Sequence, residues 1–179
     1  MNGMLNQIAE QQLRKAGWYE GRKIDVSHFE KRFSEQGFDF FPAARRFLEE
    51  FGDLKIVDKL DWGDIEPGCI GINKSSTELS YLNSYTFSRC DTFIENVGQK
   101  VVPAAIIDYM NIEIFISEDG KFYEHPNCYS DGGLRAENSD QFWNEYYGTE
   151  ECGWASWDEL KAGKGRTMYP NFHRGRVYL

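Results

Sequence analysis

The sequence predicts an α+β fold: a single domain in which a mostly antiparallel sheet packs against N-terminal helices and one or two later helices. Three observations support this class. Apolar residues recur at helical spacing up to Gly52, they alternate at strand spacing from Ile112 to Ile116, and 179 residues suit one domain with a real core. The chain is 41% hydrophobic, which is enough apolar surface to offset the entropy lost on folding.

The first helix is predicted over residues 2–16, where the apolar residues fall on one side. Gly17 can adopt the positive φ that ends a helix, and Trp18 offers a large apolar body over which the turn can fold. Arg22 is expected to hold this corner in place.

Two further helices follow. Ser27 and Glu30 have the spacing of a capping box, so a helix is predicted to start there and to end at Gly37. Pro42 suits the first turn of a third helix, because its missing N–H would have been unpaired there. The apolar residues at helical spacing before the stop at Gly52 are Ala43, Phe47, Leu48 and Phe51.

The run LRKAGW…GR…D…F…EQGF…PAARRFLEEFG, from Leu13 to Gly52, resembles the N-terminal signature of the third subgroup of SUKH-superfamily immunity proteins, whose α+β fold is shared with Syd. The resemblance is strong over residues 13–57. The residues that carry it are Gly17, Trp18, Arg22, Pro42, Phe47, Leu48, Phe51 and Gly52.

Later parts of the chain are also similar to the family. IFISEDGKFYEH, at Ile114–His125, looks like the family's later hairpin, and a glycine-containing loop and a last helix ending at Gly148 follow it. Residues 149–179 depart from the pattern. We therefore expect a SUKH-like domain over residues 1–148 and a C-terminal aromatic-rich extension over residues 149–179, packed on the same domain.

Between these regions the pattern predicts a short strand at Lys55–Val57, a loop at Asp58–Gly71 and a helix at Tyr85–Val97. An apolar strand is predicted at Val101–Tyr109, where Pro103 indicates an edge position or a bulge. In the extension, Asp158–Lys161 is predicted as one helical turn, and Arg176–Leu179 as a possible edge strand. Asn138 or Ser139 is expected to cap the start of the last helix, which ends at Gly148.

Charge is distributed unevenly along the chain. Residues 1–57 carry nine acidic and nine basic side chains, residues 58–151 carry eighteen and six, and residues 152–179 carry two and five. The acidic middle segment disfavours direct binding of nucleic acid, because phosphates are held by Lys and Arg, and it favours a basic partner. Acidic surface that serves only solubility is the alternative explanation.

Two acidic places are candidate partner-binding sites. The first surrounds a tryptophan in the predicted loop, and a tryptophan among carboxylates can anchor a basic protein or simply cover the core. The second is the predicted hairpin turn. The candidate residues are Asp58, Asp61, Trp62, Asp64 and Glu66 in the loop, and Glu118 and Asp119 in the turn. The loop spacing lacks the glycine and the final glutamate of a calcium-binding loop.

We expect no enzyme, no cofactor and no metal. The sequence contains no phosphate-binding loop, no G-x-S-x-G elbow and no HExxH motif. The four cysteines, Cys69, Cys90, Cys128 and Cys152, have no close pair, so free thiols are expected. His125 and Cys128 leave open an unfamiliar enzyme or part of a metal site, although a metal site needs further ligands.

The resemblance implies an immunity protein that binds and neutralises the toxin domain of a bacterial polymorphic toxin system, most often a nuclease. A regulatory protein-interaction module with the same fold and no toxin partner is the alternative. The chain has no apolar run of the roughly 20 residues that cross a bilayer, and its start, MNGMLNQIAEQQ, is polar. We therefore expect a cytoplasmic protein without a membrane partner.

Overall fold

We describe the protein from a computed structural model, which covers residues 4–61, 70–78, 84–107, 112–126, 132–148 and 151–170. Its helices, in chain order, are α1 (Gln7–Lys15), α2 (Ser27–Glu35), α3 (Pro42–Phe51), α4 (Ser84–Ser88), α5 (Cys90–Val97), α6 (Ser139–Trp143) and α7 (Trp157–Lys161). Helix α6 continues directly into one π-helical turn, Asn144–Gly148, which we call the junction turn.

The strands form an antiparallel meander. They are β1 (Lys55–Asp61), β2 (Ile70–Ser76), β3 (Val101–Ile107), β4 (Ile112–Ser117), β5 (Phe122–Pro126), β6 (Gly133–Ala136), β7 (Glu151–Ser156) and β8 (Thr167–Pro170). Each strand pairs antiparallel with the next one along the chain. The predicted α+β fold with a mostly antiparallel sheet is confirmed, including the β4–β5 hairpin.

Helices cover both faces of the central strands. On one face, Phe47 of α3 meets Phe122 of β5 edge-on with ring centroids 5.0 Å apart, and Phe122 stacks on Phe142 of α6, also at 5.0 Å. On the other face, Phe93 of α5 stacks on Phe115 of β4 at 4.2 Å. Each such pair adds about 0.5–1.5 kcal/mol beyond its buried area. Both faces of β4 are therefore buried.

The corner after α1 is held by the side chain that the sequence indicated. The two terminal nitrogens of Arg22 donate to the carbonyl oxygens of Glu50 and Gly52, at 2.7 and 2.8 Å. Carbonyls at the end of a helix lack partners within the helix, so Arg22 satisfies two groups that would otherwise need water. Trp18 stacks on Phe51 with nearly parallel rings whose centroids are 6.2 Å apart.

The helix ends follow the predicted signals in four places. Gly17 and Gly37 adopt φ angles of +103° and +81°, in the left-handed region that favours glycine. Pro42 is the first residue of α3, and Asn138 caps α6 by accepting from the Gln141 N–H at 2.9 Å. Local chemistry was sufficient to predict these boundaries.

The predicted capping box at the start of α2 is wrong. The residue before the helix is Val26, which makes no side-chain cap. The Ser27 hydroxyl instead donates to Asp25 Oδ2 at 2.9 Å, and the Ser27 N–H donates to Asp25 Oδ1 at 3.0 Å. Asp25, two residues upstream, competes for the hydroxyl that the pattern assigned to the helix.

The predicted loop at Asp58–Gly71 is too long. β1 continues to Asp61 and β2 begins at Ile70, and these two residues pair across the hairpin. Asp58 pairs with Asn73 in the same ladder. Backbone pairing along β2 therefore outweighs the low strand propensity of the aspartates.

The predicted helix at Tyr85–Val97 is interrupted at Arg89, between α4 and α5. Arg89 Nε lies 2.8 Å from Glu113 Oε2 of β4, and Glu113 is buried. A buried carboxylate needs such a partner, which Arg89 supplies from the break between the two helices. Pro103 stands at a register irregularity of β3, as the proline predicted.

Part of the C-terminal extension joins the sheet. β7 pairs with β6, and β8 pairs with β7. The predicted helical turn at Asp158–Lys161 is confirmed as α7, which begins one residue earlier behind a complete capping box made by Ser156 and Glu159. The predicted strand at Arg176–Leu179 lies outside the described residues.

In the described ranges, no helix combines the length and the apolar character needed to cross a membrane.

Candidate functional site

An open groove of about 710 Å³ lies where β4 turns into β5, between that turn, α3 and the start of α6. Its apolar lining includes Ala43 and Phe47 of α3, Ile116 of β4 and Phe122 of β5. Met4, Leu5 and Trp18, from the segments on either side of α1, complete the lining. The four α3 and hairpin positions belong to the core pattern, so the groove is built on rigid elements.

The polar lining of this groove is strongly acidic. One guanidinium lines it, that of Arg46, beside six carboxylates: Glu10, Glu20, Glu50, Asp119, Glu137 and Asp140. Lys121 lies 3.5 Å from both Asp119 and Glu137, and so neutralises part of the rim. We call this site the acidic groove.

Glu50 and Asp140 are the least compensated carboxylates of the acidic groove. Burial raises the pKa of Glu50, and the negative charge of Asp140 raises it further. The Trp18 indole N–H, 3.3 Å from Glu50 Oε1, and the positive charge of Arg22 only partly offset this. Burial also raises the pKa of Asp140. Within the described ranges neither carboxylate forms an ion pair. A cation that entered the groove would relieve both charges.

The hairpin turn supplies a third carboxylate, that of Asp119, whose pKa is shifted in the opposite direction. Burial acts to raise the pKa of Asp119, but the Ser117 hydroxyl, which donates to Asp119 Oδ1 at 2.6 Å, and the Lys121 ammonium outweigh it. The pKa of Asp119 therefore lies below its usual value, so this carboxylate stays ionised and is not suited to donate protons. Glu118 accepts from the Lys100 N–H at 3.1 Å outside the groove lining.

Exposed apolar side chains flank the acidic groove. Met4, which lines it, is 88% exposed, and Tyr19 is 54% exposed between the lining residues Trp18 and Glu20. Protein interfaces combine such apolar anchors with charges that orient the partner. The groove therefore has the composition of a protein-binding surface.

The predicted candidate residues are not all in one place. Lys55 of β1 and Glu113 of β4 lie in one row across the sheet, and from this row β1 runs to Asp61 in one direction while β4 runs to Ser117 in the other. At ~3.3 Å per residue, the two ends are about 30 Å apart. Asp58 and Asp61 are thus separated from the hairpin turn. The candidates Trp62, Asp64 and Glu66 lie outside the described residues.

His125 occupies a structural network. Its ring nitrogens lie 2.8 and 3.0 Å from Arg89 Nη1, and burial together with the Arg89 charge lowers the pKa of His125. Cys128, its proposed catalytic partner, lies outside the described residues. Burial raises the pKa of the free thiols of Cys90 and Cys152, which disfavours the reactive thiolate. In the described part of the chain, no three potential metal ligands are grouped.

Sequence reasoning missed five of the six groove carboxylates. Glu10, Glu20 and Glu50 belong to residues 1–57, whose net charge is zero, so that segment gave no acidic signal. Of its nine basic side chains, only Arg46 lines the groove. The available signal for a groove carboxylate was the position of Glu50 on α3. It lies one residue from Phe51 and on the same turn as Phe47.

Fold and groove together define a class: an α+β domain with an acidic, partly apolar groove on its surface. A family model described as SUKH-3 immunity protein matches residues 5–147. The chain therefore belongs to the SUKH-3 immunity protein family, which confirms the resemblance. The family indicates a toxin-neutralising immunity function with a toxin protein as partner. Comparisons with curated proteins and with solved structures found no match.

Proposed function

We propose that this protein neutralises its cognate toxin by binding a basic surface of the toxin domain in the acidic groove. Glu50 and Asp140 carry the proposal, because they are partly buried carboxylates with raised pKa values and without an ion-pair partner among the described residues. Such charges are costly in the free protein. A partner's Lys or Arg would offset that cost and gain a charge-assisted contact.

The toxin is proposed to be a nuclease of a polymorphic toxin system. A nuclease must hold a phosphate backbone, and it does so with Lys and Arg in its cleft. The six carboxylates of the acidic groove are complementary to such a cleft, and opposite charges would speed encounter between the two proteins. The protein acts as an inhibitor in the cytoplasm and catalyses no reaction of its own.

The groove also suits anchoring after encounter. Met4 and Tyr19 offer exposed apolar surface beside the carboxylates, while Trp18 is only 7% exposed and supports the groove from within. Charges at the rim set the association rate, and desolvated apolar contacts slow dissociation. The two features together support a tight and selective complex.

The test measures the activity of the toxin-like domain encoded beside this protein as the parent protein, or one of two double variants, is added in increasing amounts. Glu20→Lys with Glu137→Lys reverses two charges of the groove, and Glu35→Lys with Glu95→Lys makes the same change at exposed positions of α2 and α5. We expect stoichiometric inhibition by the parent, with inhibition weakened about tenfold or more only in the groove variant at low salt.

Equal inhibition by the two double variants would show that the groove is not the docking surface. A domain that is neither bound nor inhibited by the parent protein would favour the regulatory-module alternative. The loop candidates Asp61, Trp62, Asp64 and Glu66 remain a separate prediction for the docking surface.

A further inference from the structure

We propose that the C-terminal extension sets the shape of the acidic groove through the junction turn, and that Arg166 is a positioning residue for partner binding although it does not line the groove. The role in partner binding rests on the proposed function. The mechanical coupling, between two parts of this chain, does not.

Glu145 of the junction turn is the point at which the extension is held. Its Oε2 accepts from Arg135 Nη1 at 3.0 Å, from the Gly153 N–H at 2.8 Å, and from the Arg166 guanidinium. The side chains of Glu145 and Arg166 are 8% and 9% exposed. Gly153 and Arg166 lie beyond residue 147, where the family match ends, so these contacts join the extension to the family region.

The cluster is balanced in charge. Arg135 also pairs with Glu124 Oε2 at 3.2 Å, which gives two carboxylates and two guanidinium groups in one buried site. A Cβ atom at Gly153 would lie 2.3 Å from Arg166 Nη2, so glycine is needed there for the arginine to reach Glu145. Removing one partner of such a site leaves a buried charge uncompensated.

Asn144, the neighbour of Glu145 in the junction turn, contacts the segment just before α1. Its Oδ1 accepts from the Asn6 N–H at 2.6 Å, and its Nδ2 donates to the Met4 carbonyl at 3.0 Å. Asn6 in turn caps α1 by accepting from the Ala9 N–H at 2.9 Å. One side chain of the junction turn therefore fixes the chain just before α1.

The segment that Asn144 fixes is a wall of the acidic groove. Met4 and Leu5 line the groove, and Asp140, at the start of the helix that leads into the junction turn, lines it from another side. A displacement of the junction turn would therefore move two walls at once. The contacts of Glu145 with the extension hold the turn in its observed place.

The test compares Arg166→Met with Lys164→Met. Both variants remove one positive charge from the same segment, but Lys164 is exposed and only Arg166 contacts Glu145. The probe is an oligolysine peptide, and the second readout is amide hydrogen exchange at Asn6 and Ala9. Loss of a positive charge alone should strengthen binding of a cationic peptide.

The coupling predicts that Arg166→Met weakens oligolysine binding, although the variant removes a positive charge. We expect its affinity for oligolysine to fall about five- to tenfold and exchange at Asn6 to accelerate by a similar factor, since one hydrogen-bonded contact changes a local opening equilibrium by about that much. Lys164→Met should bind at least as tightly as the parent. A folded Arg166→Met protein that behaves like Lys164→Met would overturn the proposal.

Asn144→Ala keeps the test decisive if Arg166→Met does not fold. This variant removes the side chain that contacts Met4 and Asn6, and it leaves the charge cluster around Glu145 intact. We expect faster exchange at Asn6 and weaker oligolysine binding. Parental values for both would refute the coupling. Because neither readout uses the toxin, failure of toxin inhibition would contradict the proposed function and the role of Arg166 in toxin binding, while leaving the mechanical coupling standing.

Discussion

Glu50 is a residue whose ionised side chain lowers the stability of the free protein, and the proposed function assigns it a role in partner binding. It lies near the end of α3 beside Trp18 and Asp140, and burial raises its pKa above the ordinary value. A carboxyl group whose pKa is higher in the folded state than in the unfolded state favours folding while protonated and opposes it once ionised. At neutral pH the ionised Glu50 therefore destabilises the free protein.

Glu50→Gln tests this balance. The amide oxygen can still accept from the Trp18 indole, so we expect the melting temperature at pH 7 to rise while affinity for the basic partner falls roughly fivefold. The gain in stability should disappear as the pH falls below the ordinary glutamate pKa, where both proteins are neutral at this position. Thermal melts at several pH values and a binding titration measure the two effects.

The control for this prediction is Glu49→Gln, which removes the same charge from the neighbouring residue of α3. Glu49 pairs with Lys23 at 3.6 Å and does not line the groove. An equal loss of affinity in both variants would show that net charge, and not the position of Glu50, governs binding.

Gly52 is required by close approach at the end of α3. A Cβ atom there would lie 2.4 Å from the Leu48 carbonyl oxygen and 3.1 Å from the Phe29 ring. Its φ of −62° is open to any residue, so the requirement is for space and not for backbone freedom. The Gly52 carbonyl is also one of the two that accept from Arg22.

Gly52→Ala is expected to lower the free energy of unfolding by about 2–3 kcal/mol, because the backbone must shift to admit a methyl group. Denaturant unfolding would measure it. Gly165→Ala is the matched control, since no atom lies within 4 Å of a Cβ built there, and it should be near neutral. Similar losses in both variants would contradict the steric explanation.

At the scale of elements, a capping motif is decided by what surrounds it. Ser27 and Ser156 are each followed three residues later by glutamate, yet only Ser156 and Glu159 form the reciprocal bonds of a capping box. Ser27 is the first residue of α2 and not the residue before it, and its hydroxyl donates to the Asp25 carboxylate.

The two serines make a paired prediction. Ser156→Ala should cost about 1 kcal/mol, or roughly 2–4 °C in melting temperature, because an N–H at the start of α7 loses its acceptor. Ser27→Ala should stay within about 0.5 kcal/mol, since its hydroxyl bond is exposed and caps no helix. Thermal unfolding compares them, and equal losses would mean that Ser27 does cap α2 in solution.

Elements whose signals are local could be predicted from the sequence. The stripe through Phe47, Phe51 and the stop at Gly52 defined α3, and the alternation from Ile112 defined the β4–β5 hairpin. The break at Arg89 has no local signal in the sequence, and Glu113, with which Arg89 pairs, lies on a strand later in the chain. The lengths of β1 and β2 depend on mutual pairing.

At the scale of the whole molecule, the acidic groove could not be predicted, because its carboxylates come from separate segments that only the fold brings together. Glu10 and Glu20 come from an electrically neutral segment, and Glu137 and Asp140 from an acidic one. Summed charge along the chain predicted a basic partner, which stays a prediction, and it gave no position for the binding surface.

Affinity for the toxin domain should depend on pH. A partner cation beside Glu50 and Asp140 would lower their pKa values in the complex, so binding releases protons from these groups. Affinity is then constant at neutral pH and falls as the pH decreases through the raised pKa values of the free protein. Calorimetric titration across this range would show it, and a double Glu50→Gln, Asp140→Asn variant should lack most of the decrease.

Asp119 serves as an internal reference for that experiment. Its pKa lies below the usual value, so it remains ionised where Glu50 and Asp140 become protonated. Asp119→Asn should therefore reduce affinity without changing the pH at which affinity is lost. A shift of that pH would indicate that the hairpin turn, and not the Glu50 and Asp140 pair, titrates on binding.

The most direct test of the docking surface is the association rate of the cognate toxin domain, measured at low salt with three charge-reversed proteins. They are the groove variant at Glu20 and Glu137, the loop variant at Asp61, Asp64 and Glu66, and the control at Glu35 and Glu95. We expect the groove variant to associate at least about tenfold more slowly than the control. A groove variant as fast as the control, beside a slow loop variant, would contradict docking in the acidic groove and place the interface on the loop.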